Sequence, residues 1–190
     1  MISAILLAAG QSKRMNGENK LTKKIKDTPL IKYSIQNILA SSIDELIIVL
    51  GYQKELIEKL IDKNDKIKIA FNKDFKSGIS YSIKIGISCL SEKSESFFIC
   101  LADMPMVNKD IYNQLIKSRN NNEIIVPTYK GQQRNPVLFA KSMKEKIMDI
   151  TGDVGAKKIL ELNKDKILNV EINDQSITKS FDTKDHFNFL

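Results

Sequence analysis

Seven short apolar runs, rich in β-branched and aromatic residues, recur along this chain with helix-patterned segments between most of them, and this alternation constrains the fold more than any other feature. The runs are Ser3 to Leu7, Glu45 to Leu50, Lys66 to Phe71, Phe97 to Leu101, Glu123 to Pro127, Pro136 to Ala140 and Ile167 to Ile172. Between the first two, Pro29 to Ala40 carries Leu30, Ile31, Ser34, Ile35, Ile38 and Leu39 at helical spacing, with Thr28 expected as N-cap and Pro29 in the first turn. Gln53 to Ile61, Ser80 to Leu90, Lys109 to Lys117 behind an Asn108 cap, and Gly155 to Leu162 repeat the pattern. Strands joined by crossover helices form a mostly parallel sheet, so the expected class is α/β.

A chain of 190 residues, 42% hydrophobic and 28% charged, suffices for a packed core. Without an internal repeat, a low-complexity linker or a shift in composition, residues 1–190 read as one domain. No apolar run is long enough to span a bilayer. The first run lacks a basic leader before it and a small-residue cleavage pattern after it, so the expected setting is the cytoplasm, with no membrane partner. The net charge is +7, but 30 basic and 23 acidic residues are interleaved, and there is no Trp. A nucleic-acid surface is therefore not expected, and the excess charge suits small polyanions or solubility. Cys89 and Cys100 lie in apolar runs and read as two buried thiols rather than a disulfide.

A sheet of this kind binds ligands beyond the carboxyl ends of its strands. The first run leads into LLAAGQSKRM, Leu6 to Met15, followed by Lys20. Ala8, Ala9 and Gly10 have no bulk, so the main chain can approach a ligand and its N–H groups can form an anion nest. Arg14 offers a planar fork to phosphate oxygens and Lys20 a mobile point charge. The pattern GxxxxGK[ST] is absent, and this turn has one glycine rather than the three of GxGxxG, which excludes a P-loop and a dinucleotide fingerprint. The simpler reading, a small-residue turn beside a solvated cationic surface, is favoured for Lys23, Lys24 and Lys26.

The run FFICL ends at Asp103, a hard carboxylate at the ligand edge suited to Mg²⁺ beside phosphates; the alternative is a turn cap. Asp182, in SFDT, can complete a carboxylate pair, or it or Thr183 can cap a last helix. His186 has no Ser, Cys or metal-ligand partner in the pattern and receives no role.

Together these residues resemble the molybdenum cofactor cytidylyltransferases, within the nucleotidyltransferases related to the molybdenum cofactor guanylyltransferase. The likeness runs through LAAGQSKRM with Lys20, Asn72 with Gly78 to Ser82, ADMP at Ala102 to Pro105, NPVLF at Asn135 to Phe139, GDVGA at Gly152 to Ala156, and FDT at Phe181 to Thr183. It implies a Rossmann-like three-layer sandwich with a mostly parallel mixed sheet of about seven strands, like the nucleotide-diphospho-sugar transferases. It also implies transfer of a nucleoside monophosphate from a triphosphate to a phosphorylated acceptor such as molybdopterin, with Mg²⁺ and release of pyrophosphate.

By the same likeness Arg14, Lys20 and Asp103 are catalytic, and Mg²⁺ lies on Asp103 and Asp182. The nucleotide contacts are Leu7, Ala8, Ala9, Gly10, Ser12, Arg14, Lys20, Asn72, Gly78, Ser80 and Ser82; the acceptor faces Asn135, Pro136, Gly152, Asp153 and Gly155. Ala9 points to CTP, whereas Asn16 gives the Arg14-to-Lys20 interval of guanylyl relatives. Gln133-Arg134 stands where relatives carry Arg-Gly, and Ser180 where they carry an acid. Open alternatives are nucleotidyl transfer, guanylyl included, to a sugar or polyol phosphate, and a non-catalytic accessory that delivers cofactor to a molybdenum hydroxylase.

Overall fold

The computed structural model describes residues 1–15, 17–150, 155–183 and 187. Ten strands and six α-helices occur among them: β1 (Ile2–Ala8), β2 (Lys24–Ile25), β3 (Thr28–Pro29), α1 (Leu30–Leu39), β4 (Glu45–Leu50), α2 (Lys54–Glu58), β5 (Ile67–Phe71), α3 (Ile79–Ser88), β6 (Ser96–Leu101), α4 (Lys109–Lys117), β7 (Ile124–Tyr129), β8 (Gln132–Gln133), β9 (Val137–Ala140), α5 (Lys144–Met148), α6 (Ala156–Leu162) and β10 (Ile167–Glu171). All seven expected strands form. The main sheet runs in the order β10-β7-β9-β6-β1-β4-β5, with β8 paired to β7. Its pairings are parallel except those of β9 with β6 and β7 and that of β8 with β7.

Position in the sheet follows hydrophobicity. All six residues of β4 are buried, as are six of the seven in β1 and five of the six in β6. The edge strands are more open: β5 has one buried residue among half-buried and exposed ones, and β10 has only half-buried and exposed positions. Successive side chains of β1 serve two different cores: Ala4, Leu6 and Ala8 join Leu30, Ile31 and Ile38 of α1, while Ile5 and Leu7 join Ile83 and Ile87 of α3. Burial of each such Leu or Ile stabilises the sandwich by about 1.5–3 kcal/mol.

The chain moves outward from β1 to β4 to β5, then returns to β6 on the other side of β1. The crossovers on either side of the β1–β6 boundary therefore diverge, leaving a crevice at their carboxyl ends. In parallel register Leu7 lies opposite Leu101, so the loops after β1 and β6 emerge side by side.

Several local expectations need correction. Thr28 is not the cap of α1; it belongs to a two-stranded hairpin in which Lys26 and Asp27 both take positive φ, 44° and 68°, and Pro29 stands at the N-cap position without a side-chain cap. Helix α2 is shorter than its apolar pattern, ending at Glu58, and begins behind a left-handed Gln53. Ladder pairing of the sixth run starts at Val137, since Pro136 has no N–H to offer. The Asn108 side chain caps α4 by accepting from the Asp110 and Ile111 amides.

Cys100 is buried and Cys89 half-buried, both as free thiols; burial pushes the Cys100 thiol up to about 12, which makes it inert. Among the described residues no helix is long and apolar enough to cross a membrane.

Gly86 is where α3 meets the sheet. A Cβ there would stand 2.2 Å from Ile5 Cγ2 and 3.2 Å from Val49 Cγ2. Gly86→Ala is expected to destabilise the fold by about 1–3 kcal/mol despite the better helix propensity of Ala, because overpacking of this contact outweighs it. Chemical denaturation measures the difference, and an equal or higher midpoint would contradict it.

Candidate active site

The crevice between β1 and β6 is a cleft of about 480 Å³. One wall is the loop after β1, from which Leu7, Ala8, Ala9, Gly10 and Ser12 line the space; another is Leu101, Ala102 and Asp103; a third is the turn Phe75–Ser77 with Gly78, Ile79 and Ser82. Nothing of the protein lies within 4 Å of where a Cβ at Gly10 would stand. The loop is ordered by Ser12, at φ 51°: its carbonyl accepts from the Met15 amide at 2.8 Å, and its hydroxyl accepts from the Lys20 amide at 3.1 Å. Ser12 thus joins the small-residue turn to the lysine that follows.

Gly51, just past β4, lets two walls converge. A Cβ there would come within 2.8 Å of both Ala9 Cβ and Phe75 Cβ. No local pattern marks this glycine in the sequence, because the demand on it comes from long-range packing.

Asp103 is presented by a clamped turn. The buried Ser34 hydroxyl donates to the Ala102 carbonyl at 3.1 Å, and Asn37 on the same helix donates to the Pro105 carbonyl at 2.9 Å. The Phe181 amide donates to the Asp103 carbonyl at 2.8 Å, which ties the FDT segment to this turn and brings in Asp182. Asp103 caps no helix among the described residues, and the last helix that Asp182 or Thr183 was expected to cap lies outside them.

The Lys20 ammonium donates to Asp103 Oδ2 and, at 2.7 Å, to Asp182 Oδ1, which lie 83 and 162 residues further along the chain. Arg14 Nη2 joins the same Asp182 oxygen at 3.2 Å from the rim, its side chain 68% exposed. Ser180 donates to Asp182 Oδ2 at 3.1 Å. Burial alone would push the Asp182 carboxyl up, but Lys20, Ser180 and Arg14 outweigh it and hold the group below the ordinary carboxylate range. Asp103 Oδ1 is buried without a hydrogen-bond partner. Two converging carboxylates, one with an unpartnered oxygen, form a donor set suited to a magnesium-sized cation that retains water and phosphate ligands.

Other candidates stand further back. Asn72 is 3% exposed; its amide donates to Ser82 Oγ at 2.9 Å and its carbonyl oxygen accepts from the Asp74 amide at 2.9 Å, so it braces the wall from behind. Ser80 is fully buried and lies off the cleft surface. Asn135 and Pro136 precede the antiparallel β9, and pairing of Val137 with Ile99 brings them to the same sheet edge as Asp103, outside the cleft lining. Gly155 begins α6 beside Ile79, whose Cγ2 lies 3.5 Å from where a Cβ would stand. Gly152, Asp153 and His186 lie outside the described residues. Lys13, inside the LAAGQSKRM motif, also lines the cleft, as does Lys76, which no pattern marks because isolated lysines are common in this lysine-rich chain.

A small-residue loop and a carboxylate pair at the switch point of a doubly wound sheet define a nucleotide-handling α/β protein. A MobA-like NTP transferase domain matches residues 4–168, and the chain belongs to that family of nucleotidyltransferases. It is 26% identical to the molybdenum cofactor cytidylyltransferase of Escherichia coli over 186 residues, covering 98% of this chain and 93% of the relative. It is 29% identical to the bifunctional protein GlmU of Thermosipho africanus over 85% of this chain but only 36% of that protein, so it spans about a third of that relative. In fold it is similar to Rv0371c of Mycobacterium tuberculosis, with a TM-score of 0.88 at 20% identity over 99% of this chain and 96% of that one. A manganese complex of the same mycobacterial protein gives 0.83 at 18% identity, again over 99% and 96%.

Because the folded Asp182 group ionises more readily than an ordinary carboxyl, the stability it contributes is present above the ordinary value and is lost as pH falls through the folded value. Ser180→Ala removes one of the donors holding it down, so Asp182 should titrate at higher pH in the variant. Carboxyl carbon NMR reads this directly, and an unmoved or lowered titration would contradict it.

Proposed function

We propose that this chain transfers CMP from CTP to the terminal phosphate of molybdopterin, with Mg²⁺ and release of pyrophosphate, and that the product passes to a molybdenum hydroxylase. The observation that carries this reading is the convergence of Asp103, Asp182, Lys20 and Arg14 beside the small-residue loop. The cytidylyltransferase likeness over nearly the whole of both chains, together with Ala9 in the motif, favours CTP and molybdopterin.

In this reading an acceptor phosphate oxygen attacks the α-phosphorus of CTP, the bond to the bridging α–β oxygen breaks, and pyrophosphate leaves with that electron pair. The acceptor oxygen is already deprotonated near neutral pH, so the barrier lies in bringing two anions together. Main-chain N–H groups around Ala9 to Ser12 cradle the phosphates. Lys20 and Arg14 neutralise charge on the triphosphate and on the departing pyrophosphate. Asp103 and Asp182 would hold Mg²⁺, which supplies Lewis-acid neutralisation of the reacting phosphate. Gly78 and Ser82 approach ribose or base, with Asn72 and Ser80 supporting that wall, while Asn135, Pro136 and Gly155, with Gly152 and Asp153, serve the acceptor.

The GlmU likeness favours a second reading, in which the same chemistry serves a sugar phosphate acceptor. Pyrophosphate release with each of CTP, GTP, ATP and UTP, against molybdopterin and against sugar phosphates, separates the two. The expected productive pair is CTP with molybdopterin, and CTP with Mg²⁺ should give the largest rise in melting temperature. Asp103→Asn is expected to lower turnover by at least about 10²-fold while leaving the fold intact. Unchanged turnover in that variant would remove Asp103 from the chemistry.

A further inference from the structure

Lys20 reaches for the same two carboxylates that a divalent cation would need. Its ammonium lies within hydrogen-bond range of Asp103 Oδ2 and Asp182 Oδ1 at once, and all three side chains are only 16–21% exposed. Charges this far out of water are weakly screened, so a cation of either kind in this spot excludes the other by direct repulsion. Lys20 and Arg14 formally balance Asp103 and Asp182. A divalent cation arriving alone would break that balance, since it adds charge and strands the ammonium. A triphosphate arriving with it offsets the added positive charge and gives the ammonium phosphate oxygens to meet.

The lysine is built for such an exchange. Its backbone is pinned by the Ser12 hydroxyl on its amide and by the Lys23 amide on its carbonyl, at 3.1 Å each, while a lysine's four-carbon stem has several rotatable bonds. The stem lines the cleft beside the Ala8 to Ser12 loop, so a short swing carries the ammonium from the carboxylates to the phosphate cradle. The ion pair also leaves Asp103 Oδ1 buried and unpartnered, a deficit that a hydrated metal can relieve and the lysine does not.

We propose that Lys20 and the divalent cation hold the Asp103–Asp182 pair in turn, so that the cation enters with the triphosphate and not before it. This rests on the carboxylate-pair metal site of the proposed function and adds an order to its filling. Cation and nucleotide then favour each other's binding by a common factor, as linkage requires.

Mn²⁺ is the probe, with free Mn²⁺ followed by electron paramagnetic resonance in solutions of the full chain and corrected for Mn²⁺ held by the nucleotide analogue in protein-free solution. The wild-type protein should bind Mn²⁺ at least about tenfold more weakly alone than with α,β-methylene CTP, within the usual span of coupled sites. Lys20→Gln should bind Mn²⁺ without nucleotide about tenfold more tightly than wild type, and Lys20→Arg should show no such gain. Equal wild-type affinity with and without the analogue overturns the exchange, as does a Lys20→Gln protein with no gain; the wild-type comparison decides even if that variant fails to fold. Mn²⁺ binding by none of the proteins, with or without the analogue, overturns the metal site along with the exchange.

Discussion

The site rests on one ammonium group shared between two carboxylates that the chain brings from far apart. Lys20 leaves the loop after β1, Asp103 follows β6, and Asp182 comes from the final segment. Each acid is four-fifths buried, and a cation between them offsets the repulsion of two negative charges brought this close. The Phe181-to-Asp103 backbone bond and the clamps from Ser34 and Asn37 keep the carboxylates at the separation that one cation can span. These contacts position charge, which is what transfer between anionic phosphates requires from a protein.

That arrangement depends on the sheet. Winding from β1 out to β5 and back to β6 places two carboxyl-terminal loops side by side with their crossovers turned apart, and the cleft follows from the topology. Glycine then sets the tolerances at two points. Gly86 lets α3 lie against Ile5, and Gly51 lets the first loop meet Phe75. Neither role needs an unusual backbone angle; each comes from close approach.

Much of this was legible in the residue order, because strand signals are local. Runs such as ELIIVL and FFICL must be buried on both faces, and their spacing leaves room for crossover helices. The loop LAAGQSKRM and the acid at 103 were visible for a similar reason, since small and charged residues there directly follow an apolar run, whereas the acid at 182 stood out through the FDT motif alone. What escaped notice was set by distance or by brevity. The hairpin at Lys24 to Pro29 displaced the expected Thr28 cap, since a turn with two positive φ angles at Lys26 and Asp27 has no glycine to mark it. Strand β8 and helix α5, with two and five residues, fall below any periodic signal. Asn72 and Ser80 shared a motif with cleft residues yet face inward, since a loop motif does not specify which of its side chains the wall presents.

Sequence by itself determined the class of sheet, the order of its strands along the chain and the chemical character of the residues at its carboxyl edge, because hydrophobic period and side-chain type act over a few neighbouring positions. Only the tertiary structure decided which acids meet, that Lys20 stands between them, and that Gly51 and Ser180 complete the surroundings. Apart from the local bond of Ser180 to Asp182, those are contacts between residues 24 to 162 positions apart, and geometry at that range is fixed by how helices and strands pack, which no local pattern encodes.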